Sequence, residues 1–91
     1  ETTLEIEPSR ILEVCRYAKD RLGYNRLSAI TGVDWYPANP RFEIVYHLHA
    51  IRGHRRLRLK CRVGENQPLE SVIGVWRSAD WYEREVFDMF G

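Results

Sequence analysis

Residues 55–63 alternate strictly between basic and apolar side chains, and this pattern constrains the fold more than any other feature of the chain. The apolar positions are Leu57, Leu59, Cys61 and Val63. The basic positions between them are Arg56, Arg58, Lys60 and Arg62. A period of two residues places the two sets on opposite faces of a β-strand. The pattern therefore predicts a strand with one buried face and one basic face.

Two preceding segments have the same period and predict partner strands. In residues 41–51 one face carries Phe42, Ile44, Tyr46, Leu48 and Ala50. In residues 26–35 one face carries Leu27, Ala29, Thr31, Val33 and Trp35. Gly32 in this strand indicates a bulge or a close backbone approach. Because only short connections at 37–40 and 52–54 separate the three segments, we expect a three-stranded antiparallel meander.

Helical periodicity flanks the predicted sheet on both sides. The N-terminal apolar stripe consists of Ile11, Leu12, Val14, Cys15, Ala18 and Leu22. Pro8 suits the first turn of this helix, and Gly23 suits its left-handed end. A last helix is expected from Ala79 towards Phe90, whereas residues 69–76 fit either a short helix or a loop. The fold class is accordingly α+β, with an N-terminal helix, the meander and one or two C-terminal helices in a single domain over residues 1–91.

Charge is unevenly distributed along the chain, although the net charge is only +1. Residues 52–62 carry six basic and no acidic side chains, whereas residues 63–91 carry two basic and six acidic ones. Such segregation indicates two surfaces with different partners, or one internal pairing. No run approaches the roughly 20 apolar residues of a membrane span, so membrane contact is expected only through other proteins. Cys15 and Cys61 have no CxxC spacing and are expected to be free, half-buried thiols.

One candidate binding surface is the basic strand face of Arg56, Arg58, Lys60 and Arg62. Its charges repeat at about 6.8 Å, close to the spacing of phosphates. Sheets that bind RNA, however, present aromatic side chains for base stacking, and here Phe42 and Tyr46 share the apolar register. A face that docks another protein is therefore favoured, a simple solvated face comes second, and nucleic-acid binding comes last.

Metal and acid–base chemistry find little support in the sequence. His47 and His49 share a strand face, but Cys61 should point to the opposite face, and a zinc site needs three or four ligands. Glu83 and Glu85 are two residues apart, so a helix directs them away from each other. There is no Gly-rich phosphate loop and no cysteine set for an iron–sulfur cluster. No catalytic, metal-binding or cofactor-binding residue is therefore predicted.

Residues 79–91 read ADWYEREVFDMFG, and this segment resembles the signature of the C subunit of respiratory complex I, the thirty-kilodalton subunit family. That signature has Glu-Arg-Glu, two mostly hydrophobic positions and Asp-Met-Phe-Gly. Residues 30–34, 41–48 and 56–60 resemble the family's strand segments, so the resemblance extends in order over residues 10–91. The family continues past the last glycine with segments that are absent here, and we expect the chain to be a truncated piece of a longer subunit.

The resemblance implies a non-catalytic subunit in the hydrophilic arm of a proton-translocating NADH:quinone oxidoreductase. The implied partners are the quinone-site subunit, which is related to the large subunit of nickel–iron hydrogenases, and the iron–sulfur subunits. FMN and iron–sulfur clusters would belong to those partners, and the location would be peripheral, on the cytoplasmic side of a bacterial inner membrane. An equivalent subunit of a membrane-bound hydrogenase or of a coenzyme F420-dependent dehydrogenase has the same motif. An RNA-binding domain that uses the basic face is the alternative from another class.

The motif also supplies the residues that are expected at a partner interface. They are Trp81, Glu83, Arg84, Glu85, Asp88, Phe90 and Gly91. Trp, Tyr and Arg dominate the binding energy of protein interfaces, which favours docking through this helix. Arg84 is spaced to form ion pairs with both Asp80 and Asp88 along the helix. The alternative is that the aromatic side chains at 81, 87 and 90 complete the core of the domain itself.

Overall fold

The alternating segments form a four-stranded mixed sheet in the computed structural model, which describes residues 2–90 apart from the side chains of residues 89 and 90. The strands are β1 (Thr2–Glu5), β2 (Arg26–Asp34), β3 (Phe42–Ala50) and β4 (Arg55–Val63). Their spatial order is β1-β4-β3-β2. β2, β3 and β4 are antiparallel neighbours, as predicted. β1 is parallel to β4, so the prediction of a three-stranded meander was incomplete.

The sequence pattern gives no sign of β1, because all four of its residues are exposed. The strand is held at the sheet edge by its backbone, with Thr2 opposite Leu57 and Glu5 opposite Lys60. Immediately after β1, the Ile6 N–H donates to the Lys60 carbonyl oxygen at 2.7 Å. Backbone pairing of this kind requires no alternation of apolar side chains, so periodicity cannot reveal it.

β2 differs from the prediction in the residues that face the core. The pairing of β2 with β3 shifts between Leu27 and Ala29, which makes Ser28 the extra residue of a β-bulge. Leu27 and Ile30 are therefore the buried side chains of this strand. The predicted face was wrong beyond Leu27, and its remaining members lie outside the core: Ala29, Thr31, Val33 and Trp35. The irregularity is at Ser28 rather than at Gly32.

Two helices pack on one face of the sheet. α1 (Ile11–Asp20) follows a single 3₁₀ turn at Pro8–Arg10, and Gly23 beyond its end has the left-handed φ of +81° that was expected there. α2 (Ala79–Phe90) begins where the sequence predicts it. Residues 69–76, for which a short helix was one alternative, form a loop with a turn at 73–75.

The core lies between the two helices and the apolar face of the sheet. Its largest fully buried side chains are Tyr46, Ile11, Leu48, Leu59, Val72, Cys15 and Cys61. The cysteines are free thiols, as expected, but they are completely rather than half buried. Burial raises the pKa of Cys15 to about 12 and that of Cys61 to about 11, so both stay protonated at neutral pH.

Candidate functional site

α2 divides the residues of the C-terminal motif between an inner and an outer face. Ala79, Glu83 and Val86 are buried against the domain. Four of the motif residues predicted at a partner interface are exposed: Trp81, Arg84, Glu85 and Asp88. Their spacing of three, four and seven residues from the first member places them along one side of the helix. We call this set the outer stripe of α2.

Glu83 lies on the inner face and is satisfied by hydrogen bonds within the chain. The Ser71 hydroxyl donates to Glu83 Oε1 at 2.8 Å, and the Val72 N–H donates to Glu83 Oε2 at 2.8 Å. With only 7% of its surface exposed, Glu83 fastens α2 to the segment that precedes it. Sequence reasoning placed Glu83 with the other motif residues at a partner interface and missed this internal role.

The segment before α2 is itself anchored in the core, so Glu83 is tied to a fixed part of the domain. Val72, Val75 and Trp76 are buried. Trp76 Nε1 donates to the Tyr24 carbonyl oxygen at 3.1 Å, and Lys19 Nζ donates to the Val75 carbonyl oxygen at 2.8 Å. These contacts fix the position and rotation of α2, and therefore the direction in which the outer stripe points.

The outer stripe carries four of the seven residues that the prediction assigned to an interface. Arg84 is 75% exposed on its side chain, and its Nε lies 3.2 Å from Asp80 Oδ1, which is the first of the two predicted ion pairs. Trp81 is 66% exposed and Phe87 is 48% exposed. The alternative that Trp81 and Phe87 complete the core was therefore wrong. The side chain of Phe90, and Gly91, lie outside the described residues.

An apolar groove lies beside α2. Phe87 lines it together with side chains from β3, β4 and the loop after β4, among them Phe42, Val63 and Leu69. The groove has a volume of about 220 Å³. An exposed tryptophan, an exposed arginine and an adjoining apolar groove are features of protein-docking surfaces.

The basic face of β4 is less exposed than predicted. Arg56 is exposed, but Arg58, Lys60 and Arg62 are half-buried, so the expected exposure of Arg58 and Arg62 was wrong. Arg58 Nε donates to Thr3 Oγ1 at 3.1 Å, an interaction that depends on the unpredicted strand β1. Arg62 donates to a backbone carbonyl, and its guanidinium lies 5.9 Å from the ring centroid of Trp35.

Arg41 organises a cluster at the β2–β3 connection that sequence reasoning missed. Its Nε and Nη2 each donate to Asp34 at 2.8 Å, and its Nη1 contacts Glu65 in the loop after β4. The guanidinium also lies 5.0 Å from the ring centroids of Tyr36 and Phe42. The usable signal was an acid and a base at 34 and 41, on either side of the Pro-rich turn. The cluster joins two loops and is structural.

The described residues show no metal site and no membrane-spanning helix. In residues 2–88 there is no group of three or more His, Cys, Asp and Glu side chains placed to hold a metal ion. No helix among the described residues has the length and apolar character needed to cross a bilayer.

Comparison with known proteins assigns the chain to a family. The model of the family described as respiratory-chain NADH dehydrogenase, 30 Kd subunit, matches residues 4–91. The C 2 subunit of the NADH-quinone oxidoreductase of Rhizobium etli is 50% identical over 88 residues, which cover 94% of this chain and 47% of that protein. The C subunit of the NADH-quinone oxidoreductase of Citrifermentans bemidjiense is 42% identical over 92 residues, which cover 100% of this chain and 57% of that protein.

The chain thus spans about half the length of the curated relatives that it matches. Within that half, the matched region begins in β1 and includes nearly the whole sheet, both helices and the motif of α2. The chain belongs to the 30 kDa subunit family of the respiratory-chain NADH dehydrogenase.

Proposed function

We propose that the chain is a non-catalytic structural part of the hydrophilic arm of a proton-translocating NADH:quinone oxidoreductase, and that it docks against the quinone-site subunit through the outer stripe of α2. The observation that carries the proposal is that one face of α2 is bound to its own domain and the other is exposed. Glu83 secures the helix to its own domain, while Trp81 and Arg84 remain exposed. The curated relatives, which are named as C subunits of NADH-quinone oxidoreductases, support the choice of assembly.

The chemistry of Arg84 suits a buried contact with a partner. Its ion pair with Asp80 is exposed at both ends, and such pairs contribute only about 0–1 kcal/mol to the stability of a domain. The pair engages Nε, and a guanidinium has further donors that can bind a carboxylate or carbonyl group in a fixed geometry. Trp81 on the same stripe and the groove beside Phe87 would add apolar area.

In this proposal the chain holds neighbouring subunits in position and carries out no redox chemistry. FMN and the iron–sulfur clusters would be held by partner subunits, and the domain would keep the quinone-site and iron–sulfur subunits in register. The two cysteines support this view because both are buried in the core of the chain itself and are protonated at neutral pH. The location would be peripheral, on the cytoplasmic side of a bacterial inner membrane.

Substitution of Arg84 by alanine tests the proposal. In the purified chain, Arg84→Ala should change the melting temperature by no more than about 4 °C, because only an exposed i,i+4 ion pair of about 0.3–0.5 kcal/mol is lost. In the full-length protein expressed in cells, the same change should weaken association with the quinone-site subunit by about 2–4 kcal/mol, measured by co-purification from detergent-solubilised membranes.

Arg16→Ala provides the matched control, since Arg16 is an exposed arginine on α1. It should alter neither the melting temperature nor the co-purification. If Arg84→Ala unfolds the purified chain while assembly proceeds normally, the motif serves the domain itself and the docking proposal is wrong.

A further inference from the structure

The two edges of the sheet differ in how they are covered. β1 covers the edge of β4, whereas β2 is the last strand at the other end of the order β1-β4-β3-β2. The outer backbone groups of an edge strand can pair with a further strand unless the protein covers or interrupts them. The outer edge of β2 therefore decides whether the sheet can be extended on this side.

The register of β2 with β3 shows which backbone groups of β2 point outwards. The Trp35 N–H donates to the Arg41 carbonyl oxygen at 2.8 Å. In an antiparallel ladder, residues that bond to the neighbouring strand alternate with residues that do not, so Val33 and Thr31 also bond to β3. The residues between them direct their N–H and C=O groups outwards: Ile30, Gly32 and Asp34. Among the residues that the structure describes, none is hydrogen-bonded to these outward groups.

The first part of this outer edge is closed, and the second part is not. The Ser78 hydroxyl donates to the Leu27 carbonyl oxygen at 3.2 Å, and the bulge at Ser28 interrupts the regular pairing beside it. Bulges, prolines and charged side chains prevent edge strands from pairing. Residues 29–33 contain neither a proline nor a charged residue, and the carboxylate of Asp34 is bound by Arg41. We call residues 30–34 the free edge of β2.

Exposed apolar side chains accompany the free edge on the open face, which is the sheet face opposite the two helices. Val33 and Trp35 lie on this face and are 39% and 48% exposed, and Tyr36 directly after them is also exposed. Gly32 is half-buried and exposes only backbone, because it has no side chain. Ladder hydrogen bonds give affinity for an added strand, and contacts with its alternate side chains give specificity. The free edge offers both kinds of contact.

We propose that the free edge of β2 binds an extended segment of another subunit of the same assembly, which joins the sheet as an additional strand. Apolar side chains at alternate positions of that segment would pack beside Val33 and Trp35 on the open face. The inference rests on the proposed function for the identity of the assembly. It uses none of the residues in the outer stripe of α2, so the two contacts can be tested separately.

A second copy of the chain fits this edge poorly. Two β2 strands related by a two-fold axis at Gly32, the middle of the free edge, would pair antiparallel. Tyr36 of each copy would then lie opposite Ser28 of the other. At that point the bulge and the hydrogen bond from Ser78 prevent the ladder from continuing. A segment of a different polypeptide can end or turn before it reaches this point.

Amide hydrogen exchange measures the free edge directly. In the purified chain, followed by ¹⁵N NMR, the N–H groups of Ile30 and Gly32 should exchange at least about 100-fold faster than those of Thr31 and Val33, which bond to β3. In the enzyme purified from detergent-solubilised membranes, exchange at Ile30 and Gly32 should become at least about 10-fold slower, as measured by mass spectrometry with residue-level fragmentation.

Val33→Lys tests whether the added strand is needed for assembly. The new charge lies where that strand would pack, and it can pair with Glu43 opposite it, so the domain should stay folded. In the full-length subunit, this change should lower recovery with the enzyme at least about 5-fold. Leu4→Lys is the matched control, because it makes the same charge change at an exposed side chain of the other edge strand, and it should alter recovery less than about twofold. If circular dichroism shows that Val33→Lys is unfolded, Trp35→Ser takes its place.

Two results would overturn the proposal and leave docking through α2 untouched. Slow exchange at Ile30 and Gly32 in the purified monomeric chain would show that the chain itself covers this edge. Fast exchange in an enzyme that contains the subunit would show that no strand is added there. Dimers of the purified chain that Val33→Lys abolishes would assign the edge to a second copy instead. Failure of the subunit to purify with the enzyme would refute the proposed function, and this inference with it.

Discussion

Glu83 and Glu85 flank Arg84 in the motif, yet the structure places them in opposite environments. Two residues along a helix correspond to a rotation of about 200°, so one carboxylate faces the core and the other faces solvent. Glu83 accepts two hydrogen bonds from the segment before α2, whereas Glu85 is exposed. The same residue type in one short motif therefore has a structural role at one position and is available for a partner at the other.

Alanine substitution of each glutamate should separate these roles. Glu83→Ala leaves the Ser71 hydroxyl and the Val72 N–H without their acceptor, and should lower the free energy of unfolding by about 2–3 kcal/mol. Glu83→Gln keeps one acceptor oxygen and should cost less. Glu85→Ala should stay within about 0.5 kcal/mol of the unmodified chain. Urea unfolding measures all three, and equal losses for Glu83→Ala and Glu85→Ala would contradict the assigned roles.

Asp34 should make the stability of the chain sensitive to acid. The hydrogen bonds from Arg41, followed by the one from the Tyr36 N–H, lower the pKa of Asp34 from 3.8 to about 2. The folded state therefore binds this proton less readily than the unfolded chain does. The contribution of ionised Asp34 to the stability of the folded chain is fully present above about pH 4, and it is lost as the pH falls from about 4 to 2.

The prediction is that Asp34→Asn flattens the fall in melting temperature between pH 4 and pH 2. Asp20→Asn, at an exposed position near the end of α1, should leave that slope unchanged. Melting temperatures recorded across this pH range provide the measurement. An unchanged slope in Asp34→Asn would show that other carboxylates control the acid transition.

Among the elements, β3 and β4 agree with their sequence pattern and β2 does not. Alternation is a local signal, and it holds only while each residue of a strand is paired with one residue of its neighbour. The bulge at Ser28 breaks this relation, and its hydroxyl donates to the His47 carbonyl oxygen at 3.0 Å. Nothing in the sequence near Ser28 indicates a bulge. Gly32 was the residue that indicated one, but it is paired regularly with Ile44.

Deletion of Ser28 tests this account of β2. Without the extra residue, regular alternation would still direct Leu27 and Ile30 to the core and Ala29 to the open face. The shortened chain should therefore unfold cooperatively, with a loss of about 1–2 kcal/mol for the altered twist and the missing hydrogen bond. Deletion of Val45 from β3, which has no bulge to absorb it, should abolish cooperative folding, as followed by circular dichroism in urea. Loss of folding in both deletions would contradict the account.

The bounds of α2 were predictable, but the assignment of its faces was not. Its start at Ala79 agrees with the sequence analysis. Hydropathy alone would place Trp81 inside and Glu83 outside, and the structure has the reverse. The partners of Glu83 are a hydroxyl and a backbone N–H more than ten residues earlier, and only the tertiary fold brings these groups together. The interface hypothesis for α2 stays a prediction, and it included one residue, Glu83, that is buried within the domain.

At the scale of the whole molecule, the sheet has one covered face, one open face and an edge strand with no buried side chain. β1 closes the edge of β4, and Ile6 after it packs against the core. A chain that begins at Ile6 should therefore remain folded and lose only about 1–2 kcal/mol of stability. It should also self-associate more readily, because the edge of β4 loses its cover.

Urea unfolding and size-exclusion chromatography of this shortened chain provide the two measurements. A chain that begins at Pro8 is the comparison, because it also lacks the Ile6 side chain and its hydrogen bond to Lys60. It should be clearly less stable than the chain that begins at Ile6. Equal stability of the two shortened chains would mean that Ile6 contributes nothing to the core.

The parallel pairing of β1 with β4 also has a consequence for the order of events in folding. The strands β2, β3 and β4 follow one another closely, so their hairpins can form early, whereas Thr2 must find Leu57 across most of the chain. Pairing between distant segments forms slowly, because closing the long loop between them costs conformational entropy before the new contacts compensate for it. During synthesis β1 emerges before the other strands, but it cannot pair until β4 has formed. Until the two strands pair, the edge of β4 can form hydrogen bonds with another strand. We therefore expect β1 to be the last strand to pair, and its pairing closes the exposed edge of β4.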